Sequence, residues 1–407
     1  MMRALLLLLA CGGPVFADEW PQWLGPARNG VSTESVAAWK DAPKVAWKLP
    51  VGEGHSSPIV ADGRAYLHAR VQGQDGEEVI ACNARTGEIV WRQAYPRPPF
   101  KSAFGNGPRA TPAVSAGKLY TFGVTGILTC WEGATGKKVW QVDTLVEFNA
   151  KNLFFGASCS PLIEGDLVLV NVGGPGASIV AFKKDTGEVA WKALDDKASY
   201  SSPIAVGQGK ERQVIFLTQQ GLVGLSPADG KLLWKFPLVD KLSESSTTPV
   251  LADGLLLGSS VTYGSAALKL ETKEGAPSFA EAWKNPKLTC YISTPIAAGT
   301  GQIYLVTGTI VPPPSATLRC VEASTGKVLW SRENTGKYHA ALLRLADGKL
   351  LMLDDEGGLA LVVPDPSEYK ELARSKVCGN TWAHPALAGG RLYLRDNKEW
   401  ICLNVSP

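Results

Sequence analysis

The chain has 407 residues, long enough for two or three ordinary domains or one large β architecture. Apolar residues are 45% and charged residues 19%, the makeup of a folded protein with a core and far from that of a disordered chain. Lys and Arg number 41 against 38 Asp and Glu, a formal charge of +3 without a basic block, which argues against a nucleic-acid partner held through counterion release.

Residues 1–17 read as a signal peptide: Met1-Met2-Arg3, the apolar run ALLLLLA, then a small-residue cleavage site at Val15-Phe16-Ala17. Leu8-Leu9-Ala10-Cys11 offers a second reading, a lipoprotein box with Cys11 as the lipid anchor. The apolar run falls far short of the roughly 20 residues that span a bilayer, and no other uncharged stretch reaches that length, so no transmembrane segment is expected. Residues 18–39 form an N-terminal extension that includes WPQWLGPARNGVS, Trp20 to Ser32.

From about residue 40 one motif organises the chain. CNARTGEIVW, WEGATGKKVW, FKKDTGEVAW, LSPADGKLLW and CVEASTGKVLW end at Trp91, Trp140, Trp191, Trp234 and Trp330, and Trp47 and Trp283 extend the series at spacings of 43 to 51 residues. That period is a propeller blade. A second marker runs in phase: Ser57-Pro58, Thr111-Pro112, Ser160-Pro161, Ser202-Pro203, Thr248-Pro249, Thr294-Pro295 and His384-Pro385, with a proline-less member near Ala341. Turns and alternating strands follow, as in SAGKLYTFGV and IEGDLVLVNV.

The glycine of each Thr-Gly or Asp-Gly pair supplies a positive φ in the turn between third and fourth strands, and the Trp packs between neighbouring sheets. Only 22 residues follow Pro385, so the last blade lacks a fourth strand, whereas Trp47 sits in a strand with no inner strands of its own. Pairing the two removes exposed edges. The expectation is an all-β, single eight-bladed β-propeller over residues 40–407, made of four-stranded antiparallel blades and closed by the N-terminal strand on the last blade. Repeat seven lacks both the proline and the Trp, with Ala373 to Ser375 in the latter's place. Cys130, Cys320 and Cys402 share a strand slot with Ala181, and Cys82 lies one residue from it, so they read as small buried residues. Cys159, Cys290 and Cys378 precede inner strands, where a bridge among them is an alternative.

The A-x-x-x-x-T-G-x-x-x-W pattern of Ala181 to Trp191 resembles the tryptophan-docking motif of the pyrroloquinoline-quinone-like propeller superfamily, which holds quinoprotein dehydrogenases and non-enzymatic scaffolds of the BamB type. The enzymes typically carry an adjacent-cysteine disulfide over the quinone, and no two cysteines are adjacent here. Short repeats also leave little room for the loops that build a calcium and quinone site. Hydrolase, zinc-protease and phosphate-loop motifs are missing as well. Asp354-Asp355-Glu356 reads as a solvated hairpin tip.

Three of the four histidines, His55, His339 and His384, precede or begin the inner strands of repeats one, seven and eight, which become neighbours once the ring closes. Tyr338 and Trp382 lie beside them, and comparable positions elsewhere carry Arg109, Tyr200 and Tyr291. These eight are the candidate binding residues, an aromatic and basic rim at the mouth of the central channel. Their offsets do not place the three histidines on one strand face, so no metal site is expected. The functional expectation is an exported, periplasmic or envelope-associated monomer that is non-catalytic, needs no cofactor and binds a protein or peptide. The alternatives are a pyrroloquinoline-quinone-dependent dehydrogenase with calcium, and a small-ligand or carbohydrate-binding propeller.

Overall fold

A computed structural model describes residues 19–309 and 313–406. The segment read as a signal peptide, with Cys11, lies outside the described residues. Among those described are eight four-stranded sheets, each antiparallel throughout. Seven are consecutive meanders, from Ile59–Ala61 through Ile89–Pro96 in blade 1 to Ala340–Arg344 through Lys370–Lys376 in blade 7. The eighth is composite: Ala386–Ala388, Arg391–Arg395 and Glu399–Asn404 take Val45–Pro50 as their outer strand, with Trp47 opposite Cys402 and Pro50 opposite Glu399. The closure expected from the truncated last repeat is the one observed.

The docking motif works through backbone geometry at two points. In each blade the pairing of third and fourth strands slips by one residue at the Trp slot, as where Ala181 faces Trp191 while Phe182 faces Val189. This β-bulge leaves the preceding residue outside and aims the indole at the next blade. There the indole lies on the positive-φ glycine of that blade's turn. A Cβ built on Gly87 would stand 2.7 Å from Trp47, and one on Gly187 would stand 2.7 Å from Trp140. The indole N–H then donates to the carbonyl three residues before that glycine: Trp47 to Ala84, Trp91 to Gly133, Trp140 to Lys184, at 2.9 to 3.0 Å. Glycine is required twice over, for its φ and for its missing side chain.

Where no turn glycine lies under the indole, the Trp finds another aromatic: Trp234 meets Phe279, and Trp330 meets Tyr369. Blade 7 forms completely despite its degraded motif, with Ala373 opposite Leu361 at the Trp slot. In the next blade the outer strand Val45–Pro50 is not joined to Glu399–Asn404 by a turn, so an indole at 373 would have no turn glycine to sit on. Trp39 covers this outer strand instead, its Nε1 donating to Ser375 Oγ at 3.0 Å.

The Ser/Thr of the second marker has a role the sequence does not announce. Backbone N–H groups at the channel donate to hydroxyls of the neighbouring blade: Ser57 to Thr111, Thr111 to Ser160, Ser160 to Ser202, Thr248 to Thr294 and His384 to Ser57, at 2.9 to 3.2 Å. These bonds link the innermost strands at five of the eight seams. All seven described cysteines are buried and unpaired, which leaves no bridge among Cys159, Cys290 and Cys378.

The N-terminal extension is a plug. Trp20 exchanges backbone bonds with Val60 of blade 1, the Pro21 carbonyl accepts from Val114 of blade 2, and Gly30 and Ser32 bracket Arg344 of blade 7. Fully buried Arg28 donates to the Pro203, Pro161 and Ser160 carbonyls of blades 4 and 3. Trp23 Nε1 donates to Thr248 Oγ1 of blade 5 at 2.8 Å. The segment thus occupies the channel and ties the inner strands to one another.

Candidate functional site

Loops that run from the outer strand of one blade to the inner strand of the next converge above the plug. They enclose a cavity of about 240 Å³. Its floor is Trp23. Blades 8, 1 and 2 contribute Trp382, His55 and Arg109, with Phe104 from the loop that carries Arg109. Phe155, Tyr200, Glu244, Tyr291 and Tyr338 complete the wall from the remaining blades.

Six of the eight sequence-predicted residues therefore line one cavity: His55, Arg109, Tyr200, Tyr291, Tyr338 and Trp382. His339 and His384 do not. Both are buried beneath the floor, their rings 5.4 Å apart, with Trp23 edge-on to His384 at 4.6 Å. His339 Nδ1 bonds Ser293 Oγ at 2.8 Å, while its Nε2 and both ring nitrogens of His384 have no hydrogen-bond partner among the described residues. Burial pulls both imidazoles down, His384 to about 3, so both are neutral at physiological pH.

The aromatic wall is continuous. Trp382 stacks on His55 at 5.0 Å and meets Tyr338 and Phe104 at 5.9 Å each. Phe104 in turn meets Phe155 at 5.4 Å, and Phe155 meets Tyr200 at 5.4 Å and Phe154 at 4.9 Å. Phe104, Phe154, Phe155 and Trp23 escape a repeat-based reading because inter-repeat loops and the N-terminal extension have no period. The usable signal was the presence of aromatics in loops just upstream of the marker prolines.

The wall carries two charges of opposite sign, three blades apart. Arg109 donates to the Gly107, Phe104 and Gly105 carbonyls, and no carboxylate pairs with it among the described residues. Burial lowers its guanidinium to about 10, still protonated at neutral pH. Glu244 lies beside Tyr291, whose phenol is pushed up by burial first and then by that carboxylate. His55 Nε2 is 2.8 Å from the Phe104 carbonyl, which fixes the same loop.

The acidic tip at Asp354 and Asp355 is not solvated. Both residues are buried. The Asp355 carboxylate accepts from the Lys337 and Tyr338 N–H groups at 2.7 Å, and its carbonyl accepts from Thr381 N–H at 3.1 Å. It is a buried anchor for the two loops that present Tyr338 and Trp382. The bonds to Lys337 and Tyr338 offset only part of the burial, which raises the Asp355 carboxyl above its ordinary value.

Taken together, these features define a closed eight-bladed propeller whose channel is plugged from within and opens as an aromatic cup. The family model described as "Outer membrane protein assembly factor BamB" matches residues 31–101 and 75–332. The chain belongs to this BamB-like, quinoprotein-type β-propeller repeat family. It is 24% identical to the outer membrane protein assembly factor BamB of Shewanella oneidensis over 327 residues, 75% of this chain and 78% of that one. It is also 30% identical to the quinoprotein alcohol dehydrogenase PedH of Pseudomonas putida over 182 residues, 42% of this chain. That match spans only 30% of the dehydrogenase. Among solved structures, the quinohemoprotein alcohol dehydrogenase of Comamonas testosteroni shares the fold at a TM-score of 0.69, with 15% identity, over 96% of this chain and 81% of that one. No helix among the described residues is long and apolar enough to cross a membrane.

The relationship to dehydrogenases raises the question of whether a quinone and calcium would fit. The cavity wall has one carboxylate, Glu244, and no cysteine. No three His, Cys, Asp or Glu side chains converge among the described residues. Calcium takes six to eight oxygen ligands, with carboxylates prominent among them. This donor set does not fit the pair.

Proposed function

We propose that the protein is an exported, non-catalytic propeller that binds a protein or peptide partner in the cell envelope through its channel mouth, the BamB-like reading. In this reading residues 1–17 are a signal peptide, residues 40–407 are the propeller with the 18–39 extension as its plug, and the protein acts as a monomer. One observation carries it. The aromatic lining does not stop at the cup: Phe104 is 40% exposed and Phe154 75% exposed, Val146, on the same connection as Phe154, is 77% exposed, and Leu242, on the connection between blades 4 and 5, is 45% exposed. A small ligand held in the cup would leave these side chains in water, whereas a protein surface would cover them. The BamB relatives, aligned over most of their own length, favour the same reading, and the donor set disfavours a calcium–quinone enzyme.

The test is partner capture from an envelope extract by a Phe104→Ser/Phe154→Ser variant. Both side chains are exposed, so thermal stability should change little, while capture should fall at least tenfold. Undiminished capture would refute the assignment of the mouth.

A further inference from the structure

The mouth has three properties that together restrict its ligand. First, it is blind. The plug fills the channel, and Trp23, tied to Thr248, forms a floor, so a chain that enters cannot pass through. Second, it is narrow: a cavity of about 240 Å³ holds a residue or two and not both arms of a hairpin. A polypeptide can then present only an end or a single side chain. Third, Arg109 brings a positive charge whose bonds all go to neutral carbonyls. Among the described residues no carboxylate contacts it directly, although Glu53 and Glu77 act on it through space, and two of its five N–H donors are not engaged by those carbonyls, so it offers an anion a charge and free donors. Glu244 stands on a wall three blades away, where it disfavours an anion and can accept N–H donors, so the cup is electrically polar.

We propose that the mouth receives the C-terminal end of its partner, with the terminal carboxylate on Arg109 and an aromatic last side chain packed against Trp382 and Phe155 above Trp23. The inference rests on the protein-binding reading above and deepens it. The carboxylate approaches the Arg109 wall because the opposite wall is anionic. The last side chain fills the aromatic half of the cup, and the preceding residues leave across Phe104 and Phe154. An internal acidic side chain could reach Arg109, but seating an aromatic side chain beside it takes a second residue, with chain on either side, and so two segments at the mouth. A chain end needs one.

The test uses the purified mature protein and four probes: N-acetyl-Gly-Ser-Gly-Phe as the free acid, the same peptide as its C-terminal amide, N-acetyl-Gly-Ser-Gly-Ala as the free acid, and phenylacetate. Binding is followed by calorimetry. The free acid ending in Phe should bind at least tenfold more tightly than its amide and than the Ala peptide. Arg109→Gln should abolish the preference for acid over amide, and Arg109→Lys, which keeps the charge, should restore part of it. Trp23→Leu should weaken acid and amide alike. Equal affinity for acid and amide, or no binding of either, would overturn the chain-end assignment. Phenylacetate binding as tightly as the peptide would overturn it too, in favour of a small aromatic carboxylate. These failures are separable from failure of the protein-binding reading, which is judged by partner capture with Phe104 and Phe154 replaced.

Discussion

Replacing Trp47 by Ala attacks the seam where the two ends of the chain meet. In blade 8 the indole packs against Trp400 at 5.3 Å and Tyr393 at 5.9 Å, and in blade 1 it covers Gly87 and bonds the Ala84 carbonyl. That carbonyl keeps a second donor, the Tyr393 hydroxyl at 3.0 Å, so the variant creates a cavity but no orphaned acceptor. The cost is then that of a buried Trp→Ala change, about 3–5 kcal/mol. At 3 kcal/mol, local opening of the seam becomes about 150-fold more frequent. Hydrogen exchange read by mass spectrometry should show this acceleration in 45–50 and 399–404, with strands of blades 3 and 4 nearly unchanged. Gly87→Ala should have the same signature at a smaller cost, about 1–3 kcal/mol, because its φ is +74° and its Cβ would lie 2.7 Å from the indole. If Trp47→Ala left the seam's exchange unaltered, or accelerated all blades equally, the closure argument would fail.

Acid should destabilise the fold through the two buried histidines under the floor. Their folded-state pKa values lie below the unfolded value of about 6.5, so the unfolded chain takes up protons first and stability falls as pH drops from about 6.5 towards 3, at up to about 2.7 kcal/mol per pH unit for the two together. Urea midpoints measured at pH 7, 6 and 5 should therefore fall less steeply in a His339→Gln/His384→Gln variant, and equal slopes would contradict the claim that both are neutral. At blade 7, Trp39→Ala should accelerate exchange in 370–376 at least tenfold, because that indole covers the strand lacking a docking Trp; an unchanged rate would mean the blade is held by its sheet alone.

Most of the fold was legible because a ring of like blades writes its geometry into the sequence at a fixed period. The Trp, the turn glycine and the truncated eighth repeat were enough to infer blade number and closure. The bulge before each Trp left no trace, since a one-residue slip changes pairing without changing composition. The hydroxyl links between inner strands were visible only as a Ser/Thr preference beside proline. Trp20 to Ser32 is unique in the chain and finds its partners up to hundreds of residues away, so neither the plug nor Trp23 as floor could be read from local pattern. For the site, His55, Arg109, Tyr200 and Trp382 stand three residues before their marker prolines and line the cup. His339 stands two residues before Ala341 and His384 one before Pro385, a step further down the inner strand, and both fall below the floor. Asp355 looked like a solvated turn because its partners are backbone N–H groups, which no sequence displays.

The central claim is that the mouth, and not the outer wall of the ring, meets the partner. Photo-crosslinking with benzoylphenylalanine in place of Phe154 at the mouth, or of Val189 on an outer strand where the side chain is 42% exposed, separates the two directly. The account predicts a discrete envelope adduct from position 154 and none from 189. Adducts from 189 with position 154 silent would contradict it.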